Sequence, residues 1–247
     1  MLRTRYTLAR SVSKDSAQGS AESAQGGVQM IYEWRTYEAM PGKLLALNTH
    51  LKVAADLFKK HGLGVLGFWT DEIGTGGQIT YMWIYADLED RQKKMAAFGA
   101  DAAWKQQVAE ETEKEGVIVA RIHNTMLQLT PYSPNPQLRT KVQEWRIYEA
   151  MPGRLPDLHT RFATHTLRLF EKHGMENIGY WTEVFGTSNR LVYMLGYPSL
   201  GEREKSWAAF LKDPDWQTAR AESEKKGPLV AKAYNQILRP TAYSPRG

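Results

Sequence analysis

A twelve-residue string occurs twice in this chain, and that duplication constrains the fold more than any other feature of the sequence. Glu33-Trp-Arg-Thr-Tyr-Glu-Ala-Met-Pro-Gly-Lys-Leu44 returns 111 residues later as Glu144-Trp-Arg-Ile-Tyr-Glu-Ala-Met-Pro-Gly-Arg-Leu155, identical at 10 of 12 positions. Leu57-Phe-Lys-Lys-His-Gly62 returns as Leu169-Phe-Glu-Lys-His-Gly174, now 112 residues on, so the second copy carries one extra residue in its first helix. Trp69-Thr70 and Trp181-Thr182, Trp104 and Trp216, Asn124 and Asn235, and the Tyr-Ser-Pro strings ending at Pro134 and Pro245 complete the correspondence. Self-similarity at a long fixed period marks a chain built from repeated structural units. Two units follow, 28–135 and 138–247, joined by a Pro-rich link from Pro131 to Gln137.

Each copy reads as strand, helix, strand, strand, helices, strand. Ile31 to Glu38 is rich in β-formers and alternates, and Pro41-Gly42 turns the chain. Leu44, Leu47, Leu51, Ala55 and Phe58 make an apolar stripe at helical spacing, closed by Gly62. Leu66 to Ile73 and Ile79 to Ala86 form a hairpin around Gly74–Gly77; the second copy uses Gly186–Asn189 there. Leu88 to Lys114 is helical in two pieces, and Val117 to Leu129 closes the unit as a strand. The order β-α-β-β-α-β is the ferredoxin-like motif, which leaves one face of its sheet without helices. Two copies in one chain can pack those bare faces together, so the expected class is α+β. Two tandem ferredoxin-like repeats would pack sheet to sheet as one intramolecular α/β barrel.

Composition narrows the function classes. The chain has 247 residues, 32 Lys+Arg against 27 Asp+Glu, and no cysteine. Disulfides, thiolate chemistry and Cys-ligated metals are thereby excluded. Basic and acidic residues alternate, as in Glu89-Asp90-Arg91, so nucleic acid is not expected as a partner. No apolar run approaches the roughly 20 residues of a membrane span. Residues 1–27 are basic, Ser-rich and poor in acids, which reads as a mitochondrial leader or a disordered tail.

Glu33, Arg35, Tyr37, Pro41 and Gly42, repeated as Glu144, Arg146, Tyr148, Pro152 and Gly153, resemble the NIPSNAP family within the dimeric α/β-barrel superfamily. Gly67-Phe-Trp-Thr70 with Gly74, its copy Gly179-Tyr-Trp-Thr182 with Gly186, and the tail Arg239 to Pro245 add to the likeness. The resemblance implies ferredoxin-like halves and a non-enzymatic protein acting through protein partners or a small hydrophobic ligand. In a eukaryotic host it implies mitochondria and their quality control; otherwise the cytoplasm is expected. It carries over no catalytic residues. Some members are linked to haem, though no cofactor is expected here. Analogy with the superfamily supplies the alternative, a cofactor-independent or haem-dependent monooxygenase or isomerase with a sheet–helix pocket. Further self-association is left open.

Candidate sites follow from strand alternation and helical phase. Glu33, Arg35 and Tyr37 share one strand face, with Glu144, Arg146 and Tyr148 as the second set. If Trp34 and Trp145 pack on helices, the charged faces converge in the barrel interior, either to hold a polar ligand or as a structural ion-pair network. Trp69 and Trp181 with Tyr81 and Tyr193 form an aromatic set that lines a flat pocket or fills a core. His61 and His173 sit at helix ends, where the dipole accounts for them. His165 flanks the Phe162–Leu169 stripe and is the best candidate for an acid–base group or haem ligand in a sheet–helix cavity. His50, His159 and His123 differ between the copies (Arg161, Asn48 and Tyr234 stand opposite them), and a specific site is expected where the copies differ. No metal cluster, Walker loop, complete dinucleotide fingerprint or nucleophile elbow is present in the sequence.

Overall fold

Alternation along the first strand decides everything above it. In the computed structural model, which describes residues 30–245, the first half runs β1 (Ile31–Ala39), α1 (Leu44–Lys60), β2 (Gly64–Ile73), β3 (Gln78–Tyr85), α2 (Leu88–Ala100), α3 (Ala102–Glu115) and β4 (Val119–Leu129). The second half runs β5 (Val142–Ala150), α4 (Leu155–Arg161), a π-helical turn (Phe162–Thr166), α5 (Leu167–Lys172), β6 (Glu176–Phe185), β7 (Arg190–Tyr197), α6 (Leu200–Lys212), α7 (Pro214–Ser223) and β8 (Val230–Pro240). The leader, residues 1–27, lies outside the described residues. Among the described residues no helix is long and apolar enough to cross a membrane.

The eight strands close in the order β1-β3-β2-β8-β5-β7-β6-β4, every neighbouring pair antiparallel. Each half contributes a ferredoxin-like sheet, and β2–β8 and β4–β6 are the seams between halves. The seams are short. β4 pairs with β6 only from Met126 to Leu129, and β8 pairs with β2 only from Ile237 to Pro240. Val119–Thr125 and Val230–Gln236 therefore bond to β1 and β5 on one side and run past the barrel on the other.

The bore is filled. Tyr32, Trp34, Trp69, Met82, Leu127, Trp145, Trp181, Met194 and Leu238, drawn from all eight strands, form one buried cluster containing no helical residue. Trp34 and Trp145 stack face to face across it, ring centroids 3.8 Å apart and 2° from parallel. Trp69 packs on Trp34 at 5.3 Å and Trp181 on Trp145 at 5.6 Å. The alternation expected from sequence is present, but with its faces exchanged: the tryptophans look into the barrel and the charged residues look out toward the helices. Desolvation explains the choice, since a closed bore offers a carboxylate no water, whereas a helix layer can supply arginines.

The Gly-x-Trp strings have a spatial cause. Residues two apart share a strand face, and the Trp69 ring lies back over Gly67, where an added Cβ would sit 2.5 Å from ring carbon Cζ2. Trp181 covers Gly179 in the same way. In the hairpin loops Gly77 (φ 62°) and its counterpart Asn189 (φ 66°) both take the left-handed conformation, which Asn tolerates better than other side chains. The extra residue of the second copy is absorbed by the π-helical turn, where the Leu167 N–H reaches back to the Phe162 carbonyl.

Replacing Gly67 by Ala should destabilise the protein by about 1–3 kcal/mol, the usual cost of overpacking a close-packed core. Urea unfolding monitored by tryptophan fluorescence reads this directly, and an unchanged midpoint would show that the Trp69 ring can move aside.

Candidate functional site

The two carboxylates of the repeated string are fully buried on opposite outer faces of the barrel, each beneath its own helices. Glu33 and Glu144 are both 0% exposed. Arg91 on α2 holds Glu33 in a fork, Nε donating to Oε2 at 2.7 Å and Nη2 to Oε1 at 3.1 Å. Arg203 on α6 holds Glu144 likewise, at 2.8 and 2.7 Å. Because β1 and β5 stand opposite in the barrel order and these side chains point outward, the two Glu-Arg pairs do not converge. The expected convergence in the barrel interior does not occur, and the pairs form two separate networks.

In the second half the network is saturated. Glu144 also accepts from Arg146 Nη1 at 2.5 Å, Tyr197 OH at 3.0 Å, Trp207 Nε1 at 3.1 Å and Asn235 Nδ2 at 3.3 Å. Arg146 also donates to Tyr193 OH and Tyr148 OH, and its guanidinium lies 4.5 Å from the Trp207 ring centre. Burial pushes the Glu144 carboxyl up, but Arg203 and Arg146 more than offset this and hold it below the usual carboxylate range. A carboxylate gripped by that many donors is a poor base; its role is to tie strand to helix. The first half is looser. Arg35 stands 3.7 Å from Glu33, and Arg35 Nε, Tyr81 OH, Tyr85 OH and Trp83 Nε1 make no hydrogen bond. The difference traces to two exchanges: Met95 stands where the second copy has Trp207, and Trp83 stands where it has Leu195. Burial drives the Tyr81 and Tyr193 phenols well above their ordinary range, so both stay protonated and neutral.

The aromatic set divides between the two faces. Trp69 and Trp181 belong to the bore, where Trp69 Nε1 donates to Gln143 Oε1 at 3.2 Å and Trp181 Nε1 has no partner. Tyr81 and Tyr193 belong to the two sheet–helix layers, with Tyr37 and Tyr148 packed against those layers. They line no common pocket.

Most histidines are spoken for. His50 is buried against Glu111 and 5.0 Å from Trp104. His61 Nε2 meets Asp101 at 2.7 Å and His173 Nε2 meets Asp213 at 2.6 Å; these aspartates cap α3 and α7, so each imidazole ties the end of the first helix to the start of the last. Hydrogen bonds from Lys60 and His61, and from Lys172 and His173, hold the Asp101 and Asp213 carboxyls far below their ordinary range. His123 is exposed and bonds Glu38 at 2.8 Å. His159 shares a 2.7 Å bond with Tyr132 OH, and burial lowers its pKa. His165 is exposed and lines a surface cleft, not a sheet–helix cavity. Counting 100° per residue fails here because the π-helical turn resets the phase. Among the described residues no three His, Asp or Glu side chains are grouped to hold a metal ion.

Sequence reasoning missed the helix partners Arg91, Arg203, Asp101 and Asp213. The signal was available, because Arg91 and Arg203, and Asp101 and Asp213, are each 112 residues apart.

Comparison with known proteins agrees with this architecture. The NIPSNAP family model matches residues 32–134 and again 143–245. The chain is 23% identical over 192 residues to a NipSnap homologue of Dictyostelium discoideum, covering 75% of this chain and 78% of that protein. It is 22% identical over 224 residues to Drosophila melanogaster NipSnap, covering 88% and 79%. Among solved structures, a Lactobacillus acidophilus protein provisionally assigned as a monooxygenase superposes with a TM-score of 0.57 at 11% identity, covering 86% of this chain and 94% of that one. At that identity the likeness shows the fold alone.

Glu144→Gln should cost about 3–5 kcal/mol by leaving Arg146 and Arg203 without their buried counter-charge. Since the Glu144 carboxyl is depressed in the folded state, its contribution is full above the unfolded carboxylate pKa and is lost as pH falls through the folded value. Urea unfolding of both proteins across acid pH should show the difference shrinking as pH drops.

Proposed function

Because the chain belongs to the NIPSNAP family, we propose that it works as a non-enzymatic binding protein of that type, engaging protein partners through the free edges of β4 and β8. The observation that carries this reading is the length of strand left over at the seams. Ala120–Asn124 and Ala231–Asn235 are exposed and pair on one side only. An open strand edge is a ready template for an extended peptide, which main-chain hydrogen bonds hold while pockets choose its side chains. Ile122 at 43% exposure and Tyr234 at 38% offer apolar anchors on the two edges. A small hydrophobic ligand inside the barrel fits less well, since Trp34 and Trp145 stack where it would lie. The mitochondrial quality-control role implied for eukaryotic relatives belongs to the same proposal.

A second reading, a small enzyme with a sheet–helix pocket, draws on the unbonded Arg35, Tyr81 and Tyr85 atoms of the first half. Buried polar atoms of this kind cost roughly 1–3 kcal/mol each unless something polar meets them.

The test uses the full chain as bait in its host, followed by a haemin titration. A partner recovered in stoichiometric amount should be lost with the Ile122→Lys/Tyr234→Lys double variant, whose charges blunt both edges. Haemin should give no saturable shift of the Soret band. Capture indifferent to the double variant, or a saturable haemin shift from a bait recovered alone, would overturn the proposal.

A further inference from the structure

In each half a surface cleft opens between the first helix and the end of the last, and the two clefts differ in charge. The first, about 350 Å³, is lined by Lys43 and Lys114 against Glu111 and Glu115. Its charges satisfy one another: Lys43 meets Glu115 at 3.2 Å, Lys114 meets Glu115 at 3.4 Å, and His50 occupies Glu111. The second, about 390 Å³, is lined by Arg154, Arg161, Lys225, Lys226 and His165 against Asp157 and Glu222 alone. Two replacements create the excess: Lys226 stands where the first copy has Glu115, and Arg161 where it has His50.

The acids of the second cleft are already engaged. Arg154 Nε meets Asp157 at 2.8 Å, and Lys225 meets Glu222 at 2.5 Å. Arg154 then donates to the carbonyls of Ser223, Lys226 and Gly227. Arg161, 5% exposed, is held by Glu224 at 2.9 Å and Ser223 at 3.4 Å, and its Nε is buried without a partner. Lys226 Nζ and the His165 ring have no partner among the described residues. Thr160 and Thr164 donate their hydroxyl protons to the carbonyls of Pro156 and Thr160. The cleft thus offers cationic donors and little else. Thr164 and His165 lie in the π-helical turn, which the first half lacks; such turns recur at functional sites.

We propose that this second cleft binds the oxyanion end of a small organic ligand, a phosphate ester or a carboxylate. Lys226 and His165 meet the anion, with the Arg161–Glu224 pair behind them. Lysine recognises such a group as a point charge, and a hydrogen-bonded anion to a cationic donor is among the stronger polar contacts. The site is separate from the strand edges and stands or falls independently of them.

Isothermal titration of the full chain at low salt, with glycerol 3-phosphate and with succinate as probes, tests this. One saturable site is expected for at least one probe. Lys226→Glu, which restores the charge of the first cleft, should weaken it at least tenfold, about 1.4 kcal/mol. His165→Ala should weaken it as well, while Lys114→Glu in the first cleft should leave it unchanged. Where Lys226→Glu melts below the wild type, Lys226→Met gives the same readout. No saturable heat with either probe at millimolar concentration, affinity indifferent to Lys226, or equal loss on Lys114→Glu would overturn the assignment.

Discussion

A ferredoxin-like sheet has two faces and only enough helix to cover one. The bare face here carries indole rings, and water cannot be left against so much apolar surface. Everything else follows from covering it with the matching face of the other half. The Trp34–Trp145 stack is where the two halves touch across the pseudo-twofold axis, each ring being the repeat of the other. Offset and tilted aromatic pairs add roughly 0.5–1.5 kcal/mol each beyond burial, so the ring cluster joins the halves in addition to the four-residue seams.

Once the bore is apolar, the polar side chains of the same strands must face the helices, and they arrive there charged. Glu33 and Glu144 survive at zero exposure because arginines one helix away meet them with both nitrogens. Removing either partner would strand the other. The pairs therefore position α2 and α6 on the sheet, while the His–Asp contacts between α1 and α3, and between α5 and α7, position the remaining helices. Repetition of these devices in both halves is what a shared structural demand produces.

The duplication made the architecture legible: strand order, helix pieces, the hairpin loops and barrel closure all follow from two copies of a motif that cannot bury its sheet alone. Side-chain orientation was less so. Alternation separates Trp34 from Arg35 but does not say which face turns inward, because that depends on partners 58 residues away such as Arg91. Tyr81 and Trp69 looked like one aromatic set because sequence shows both on the same hairpin, whereas strand parity puts them on opposite faces. His165 was misplaced for a local reason: a regular helical wheel has no room for the i→i+5 turn that its own inserted residue creates.

Duplicated chains are free to diverge wherever the fold does not need both copies alike. Some of the changes in this protein fall together. The inserted residue, Arg161 opposite His50 and Lys226 opposite Glu115 all fall on one cleft of the second half. Across the barrel, the exchanges of Trp207 for Met95 and Leu195 for Trp83 leave the polar layer of the first half short of partners. Fold-level demands explain neither: a neutral cleft and a saturated layer both exist in the sister copy and both are compatible with the barrel. Each half thus keeps one region that departs from its twin toward unsatisfied polar groups, and unsatisfied groups carry a standing cost that packing alone does not recover.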